Sequence, residues 1–442
     1  MNSIYQHSSR NLLKIKQSSI FLFALFAYPY VVLSIKFYNP RLISSNAQLM
    51  IMFFLFLFLA CLQSQKIIAS LGWKTVSVLF LILFVFIPIK IICGEAGVKP
   101  LQGARILFML PLFYSLYCVY VRTDYLKNKV VTIIIWNCIF VACFGIIHFF
   151  FSPYAFITDP ITGELMPGKI LSFAGHSREA AFLCNPSAYA SLLLTGLLGI
   201  YLTKRQSIVY SIGFGVIFIG LVLSVSRWSV LLSVVVLMMF LQDNFKAKIG
   251  YLINGLVVLI LVIVAFWRLP FLYTALKYAY DRWHLTEAIF GGHIGDWGMG
   301  VFGSRIDKTR LGLEILFSDV SHFLLGGLTT DTFVKGDISV SDNSFVFVMI
   351  SCGVILGILW IIFVLFKVLP LLKFKGKNRV LLLIIFYGTI LTTPALFWDF
   401  WVLYILGILH FAFGKDSQRF KKHFIKRSEI AYPYESHLAQ IK

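Results

Sequence analysis

The feature that most constrains this chain is a succession of about twelve apolar runs, each long enough to cross a bilayer as a helix. Of its 442 residues 59% are hydrophobic and 13% charged, whereas soluble domains carry about 25% charged residues. Because hydrocarbon offers no water to the backbone, a spanning segment must be a helix or part of a closed barrel. The runs are too long and uniform for barrel strands. We therefore predict an all-α polytopic membrane protein, with residues 1–442 forming one integral domain.

Apolar windows place the spans along the chain. The predicted spans are 18–36, 46–64, 75–93, 106–121, 130–151, 180–203, 207–225, 227–242, 248–267, 344–366, 380–394 and 399–413. Basic residues precede the first run as in a signal peptide, but no small-residue cleavage site closes it, so we expect a retained anchor.

Lysine and arginine in the short loops set the orientation. If the N-terminus is in the cytoplasm, every second loop is cytoplasmic, and these are the loops that carry the basic groups. These groups are Lys66, Lys74, Arg122, Lys127, Lys129, Lys204, Arg205, Lys246, Lys248, Lys367, Lys373, Lys375, Lys377 and Arg379. A basic cytoplasmic tail, 414–442, follows the last span. The net charge of +20 thus serves topology and attraction to anionic membrane lipid, and no nucleic-acid partner is predicted.

Two outer segments are much longer than the other loops. One runs from Ser152 to Glu179, and the other is the loop 268–343 between spans 9 and 10. Loops of this length are usually functional or disordered. Apolar residues at helical spacing in 271–290 and 305–317 predict a structured external cap. The seven cysteines are odd in number and form no CxxC pair, so neither a disulfide framework nor a zinc site is predicted. No metal and no other cofactor is expected.

Cationic and titratable residues gather at the outer rim of this topology. Arg227 lies between two apolar runs with almost no loop, so it either snorkels to headgroups or clamps a lipid diphosphate with its bidentate guanidinium. Arg178 precedes a helix start that favours anions, although pairing with Glu179 is the simpler role. The remaining candidates are Arg305 and Arg310, which could also be a solvated helix face, together with His176, His322, Asn343 and Asp342, the last also a plausible N-cap.

Several segments resemble the superfamily of O-antigen polymerases (Wzy-type) and O-antigen ligases. Arg178–Ser187 is similar to its Arg, aromatic and Pro pattern at a helix start, and Ser226–Ser229 resembles its short Ser-Arg element. Gly303–Arg305 with Leu324–Gly327 resembles the Arg-to-glycine part of the large loop. Asp342–Ser344 resembles the loop end, but ligases typically carry His-Asn where this chain has Asp342-Asn343. This departure favours the polymerase branch.

The resemblance implies a metal-independent glycosyltransferase of the bacterial inner membrane. Its donor and acceptor would be undecaprenyl-diphosphate-linked repeat units at the periplasmic face, and a chain-length regulator is a further partner left open. Arg178, Arg227, Arg305 and Arg310 would bind the diphosphate, with Arg227 and Arg305 also stabilising the leaving group and Asp342 as the base. The alternatives are a ligase that transfers glycan to lipid A core and a lipid-linked oligosaccharide transporter.

Overall fold

The computed structural model describes most of the helical parts of the chain. The described residues are 17–34, 47–92, 99–151, 154–158, 165–167, 181–183, 186–203, 208–224, 226, 229–240, 312–314, 316–318, 320–326, 344–363, 377–392 and 401–412.

Helices make up nearly all of this structure, in agreement with the predicted fold class. They are α1 (Gln17–Ser34), α2 (Ala47–Cys61), α3 (Ser64–Leu71), α4 (Trp73–Leu81), a π-helical turn (Ile82–Phe86), α5 (Ile87–Ile92), α6 (Lys99–Tyr120), α7 (Asp124–Phe151), a 3-10 turn (Ala181–Leu183), α8 (Pro186–Thr203), α9 (Ile208–Ser224), α10 (Ser229–Phe240), α11 (Val320–Leu325), α12 (Ser344–Cys352), α13 (Val354–Phe363), α14 (Lys377–Thr392) and α15 (Trp401–Ala412).

Described helices coincide with every predicted span except 248–267, which lies outside the described residues. Within the described part, Gln17–Ser34 and Asp124–Phe149 have the length and apolar composition to cross a membrane on their own. Phe54–Cys61 and Ser64–Leu71 meet the same criteria together, although they are bent by 98°. The structure thus supports a helical protein with membrane character.

Three local features were not predicted. The 98° bend turns α3 away from the direction of α2. The predicted span 344–366 is interrupted at Gly353, where φ is +82°. A short antiparallel strand pair follows α7, with Tyr154 opposite Pro167 and Thr158 opposite Leu165. The pair joins β1 (Tyr154–Thr158) to β2 (Leu165–Pro167) and is a small exception to the all-α prediction.

Hydrogen bonds join several helix ends at one end of the bundle. Gln63, after α2, donates from Nε2 to Gln17 Oε1 at the start of α1, at 2.5 Å. Ser18 Oγ donates to the carbonyl of Tyr120 at the end of α6, at 3.0 Å. The Tyr120 hydroxyl in turn donates to Leu59 O in α2, at 2.7 Å. The charge pattern of the sequence predicts that these helix ends, of α1, α2 and α6, lie on the same side of a membrane.

Helix α15 and the start of α7 complete this group. His410 Nε2 donates to Val121 O at 2.7 Å, and α7 begins three residues later at Asp124. Lys127 forms an ion pair with Asp124 at 3.4 Å. We call this part of the molecule, with exposed Lys66 and Arg122, the basic end.

A proline inside α6 is compensated by a neighbouring helix. Pro111 has no N–H, so the carbonyl of Leu107, four residues earlier, loses its usual donor. Trp360 of α13 donates from Nε1 to Leu107 O at 3.2 Å. Because the Trp360 side chain is buried, this bond is made away from water and joins α6 to α13. Neighbouring side chains commonly satisfy freed carbonyls of apolar helices in this way.

Trp360→Phe should therefore lower the free energy of unfolding by about 1 kcal/mol, since Leu107 O loses its donor. In a Pro111→Ala background the new backbone N–H can pair with that carbonyl, so the same substitution should cost less. Unfolding titrations of the four proteins in detergent measure this coupling. Equal losses in both backgrounds would contradict the role assigned to the indole.

Candidate functional site

Helices α7, α8 and α9 pack closely through glycines. An ideal Cβ placed on Gly145 of α7 would lie 2.3 Å from the hydroxyl oxygen of Tyr189, and one on Gly220 of α9 would lie 2.7 Å from it. Tyr189 of α8 is fully buried, so its ring is held between the other two helices. Any side chain at either glycine would displace it. This contact fixes the end of α9 relative to α7 and α8.

The connection between α9 and α10 is a turn lined by serine hydroxyls. Ser224 Oγ donates to Leu221 O at 2.6 Å and accepts from the backbone N–H of Ser226 at 3.2 Å. Ser226 Oγ donates to Ser229 Oγ at 3.2 Å. The Val230 N–H donates to Ser226 O at 2.9 Å and thereby opens α10. Ser224, Ser226 and Ser229 are all buried; we call residues 224–229 the serine turn.

These hydroxyls form hydrogen bonds that water would form with the backbone in a soluble protein. A chain that leaves one helix and starts another exposes carbonyls and N–H groups that need partners. Serine side chains can bond to nearby backbone and so let two apolar helices follow each other with almost no loop. Arg227 stands in the middle of this turn in sequence and lies outside the described residues. Ser226 and Ser229, which flank it in the sequence, are buried and bonded to each other.

The serine turn is far from the basic end. Gly145 is 21 residues after Asp124 along α7, which at about 1.5 Å per residue is about 30 Å. Tyr189 lies against both Gly145 and Gly220, so these two glycines are at about the same height in the bundle. Gly220 is one helical turn before Ser224. The distance matches the thickness of a bilayer hydrocarbon core, about 30 Å. The Ser224 end of α9 and the basic end are therefore separated by about the thickness of a hydrocarbon core.

A second part of the predicted site is the start of α12. Ser344, which begins this helix, is fully buried. Helix α12 packs on α6, α11, α13 and α14. Asp342 and Asn343 come directly before Ser344 in sequence and lie outside the described residues, so their roles as base or N-cap stay predictions.

Most other predicted site residues also lie outside the described part of the chain: Arg178, Arg305, Arg310 and His176. His322 belongs to the described helix α11, without a described side chain. Of the loop helix predicted at 305–317, the residues 312–314 and 316 are helical, and Phe317 N–H donates to Leu313 O at 2.9 Å. This part of the prediction is confirmed.

Sequence reasoning missed Tyr189 and did not predict that Ser224, Ser226 and Ser229 bond within the turn. A signal for the serines was present, because hydroxyls stand three and one residues before Arg227 and two after it. Nothing in the sequence marks Tyr189 among twenty tyrosines, since its position depends on two glycines in other helices.

Metal binding has no support in the described residues: among them, no three His, Cys, Asp or Glu side chains lie close enough together to hold an ion. The absence of a cofactor stays a prediction for the whole chain.

Comparison with known proteins adds no family assignment. No protein-family model matches the chain, and no curated protein matches it at a significant level.

Ser226→Ala should lower the free energy of unfolding by about 1 kcal/mol, because the buried Ser229 hydroxyl loses its partner. Ser34→Ala is the matched control, since Ser34 is exposed and donates to Tyr30 O within its own helix, at 2.8 Å. Unfolding in detergent, followed by circular dichroism, separates the two. A loss no larger than that of the control would contradict the structural role of the serine turn.

Proposed function

We propose that the chain is an inner-membrane polymerase that joins undecaprenyl-diphosphate-linked oligosaccharide repeat units into O-antigen or a related surface polysaccharide. The proposal includes twelve spans, both termini in the cytoplasm and the loop 268–343 in the periplasm. The observation that carries it is the set of buried, hydrogen-bonded serines Ser224, Ser226 and Ser229, which flank Arg227 in the sequence and lie about 30 Å from the basic end.

This geometry suits an anionic lipid headgroup. A guanidinium next to hydrocarbon needs an anionic partner, because an unpaired charge there is costly. Arginine binds phosphate through two parallel hydrogen bonds. A diphosphate at the membrane surface, with its lipid tail in the bilayer, meets both requirements. Buried serines on either side of Arg227 would keep its backbone in place while it binds.

The proposed reaction breaks one bond and forms another. A hydroxyl on the terminal sugar of a new lipid-linked repeat attacks the anomeric carbon of the growing glycan. The bond from that carbon to the diphosphate oxygen breaks, and undecaprenyl diphosphate leaves with the electron pair. Arg178, Arg227, Arg305 and Arg310 would bind the diphosphate, and Arg227 and Arg305 would stabilise its added negative charge. Asp342 would accept the proton of the attacking hydroxyl, with His176, His322 and Asn343 as further candidates.

Arg227→Ala should reduce polymerisation by about 10²-fold or more, the usual effect of removing one group that stabilises a developing anion. The assay is the surface polysaccharide of a deletion strain that carries wild-type or variant protein. Wild type should restore the lipopolysaccharide ladder, whereas Arg227→Ala should leave a single repeat and Arg227→Lys an intermediate pattern.

Arg122→Ala is the matched control, because Arg122 is exposed at the basic end and should leave the ladder intact. Immunoblots of the membranes confirm equal amounts of each variant. A normal ladder with Arg227→Ala would contradict the proposed role. Loss of all repeats from lipid A core, with long lipid-linked glycan accumulating, would instead identify a ligase.

A further inference from the structure

The end of the large external loop packs lengthwise on the predicted tenth span. Leu313 contacts the pair of buried residues Val346 and Ile350 in α12. Farther along, Gly326 lies against the backbone of Ile350 and Gly353. As the loop segment runs from Leu313 to Gly326, its contacts therefore move along the span from Val346 to Gly353.

Two glycines allow the backbones to touch at the far end of this contact. A Cβ on Gly326 would lie 2.5 Å from both Gly353 N and Ile350 O, and a Cβ on Gly353 would lie 2.1 Å from Leu324 O. Both glycines also have positive φ, +67° and +82°, which other residues rarely adopt. The contact is thus specific to this pair and to a close approach of the loop to the span.

The contact lies well inside the predicted span. Gly353 follows the first residue of α12, Ser344, by nine positions, which is about 14 Å along the helix. Half of a hydrocarbon core is about 15 Å. If α12 starts at the membrane surface, as the proposed topology requires, then α11 reaches nearly to mid-depth.

Helix α11 exposes apolar side chains, whereas the polar residues Glu314 and Ser318 are exposed before this helix begins. Leu316 is buried, whereas Phe317, Val320 and Leu324 are 65%, 72% and 43% exposed. Val320 and Leu324, four residues apart in α11, lie on one helical stripe, and Phe317 lies in the turn before this helix. Glu314, exposed too, stands beside Leu313 at the shallow end.

The neighbouring helix presents the same kind of surface. Helix α13, on which α11 also packs, exposes Ile355, Ile358, Leu359 and Ile362. Exposed apolar surface of this kind marks contact with a membrane or with another protein, and at the depth that the proposed topology gives it, acyl chains would surround it. The backbone of α11 is suited to contact with lipid because α11 is helical and the following residue, Gly326, is buried against protein.

We propose that residues 313–326 of the large loop re-enter the bilayer beside α12 and α13, with Phe317, Val320 and Leu324 in contact with the acyl chains of membrane phospholipids. The loop is then a periplasmic cap anchored from within the membrane. The inference rests on the proposed span at α12–α13 and does not depend on the reaction that the protein catalyses.

Photocrosslinking in native membranes tests this directly. The full chain carries p-benzoylphenylalanine at Val320 or Leu324, and at Glu314 as the matched exposed control. After irradiation and purification, mass spectrometry should find several-fold more phospholipid adduct at Val320 and Leu324 than at Glu314. Whether each variant restores the polysaccharide ladder is measured in a separate experiment. A variant that crosslinks to phospholipid but gives no ladder would count against the proposed reaction and not against the membrane insertion of the loop.

Equal, background levels of phospholipid adduct at all three positions would overturn the inference. Adducts at Val320 exclusively to protein or to a polyprenyl lipid would overturn it as well, because the stripe would then be covered by something other than the bilayer.

Discussion

Every buried backbone carbonyl and side-chain polar group in this apolar bundle needs a partner from the protein itself, and the architecture follows from how those partners are supplied. Asn137 is fully buried in α7 and donates from Nδ2 to Leu25 O of α1, at 3.1 Å, and to the Tyr404 hydroxyl of α15, at 2.7 Å. Trp360 does the same for the carbonyl left free by Pro111. Such bonds specify which helices are neighbours, since apolar side chains alone pack with little selectivity.

The same requirement explains the candidate site. A turn between two apolar helices is tolerable only if its polar groups are paired, and three serines provide that pairing around Arg227. Tyr189 and its two glycine neighbours then fix the turn relative to α7. At the other end, hydrogen bonds of His410, Ser18 and Gln63 join the helix ends that carry the basic residues. The proposed site is therefore the sequence around Arg227, whose flanking serines lie far from the basic end.

The positions of the helices were predictable from the sequence because an apolar run of about 20 residues has few alternatives in lipid. The bend after Cys61, the break at Gly353 and the strand pair after α7 were not, since each depends on tertiary contacts rather than on hydropathy. For the site, Arg227 stays a prediction of the sequence, and the bonding of Ser224, Ser226 and Ser229 could not be predicted because it depends on the folded backbone around them. Arg178, Arg305 and Asp342 stay predictions of the sequence alone.

The most direct test of the account is the sidedness of its two ends. Thr123→Cys places a thiol at the exposed basic end, and Glu314→Cys places one at the exposed start of the loop segment. A membrane-impermeant maleimide should label Glu314→Cys in intact spheroplasts and should label Thr123→Cys only after permeabilisation. In each case the number of modified thiols is compared with that of the parent chain, which has its own cysteines. Labelling of Thr123→Cys in intact spheroplasts, or of both positions from the same side, would contradict the proposed topology and with it a periplasmic site at Arg227.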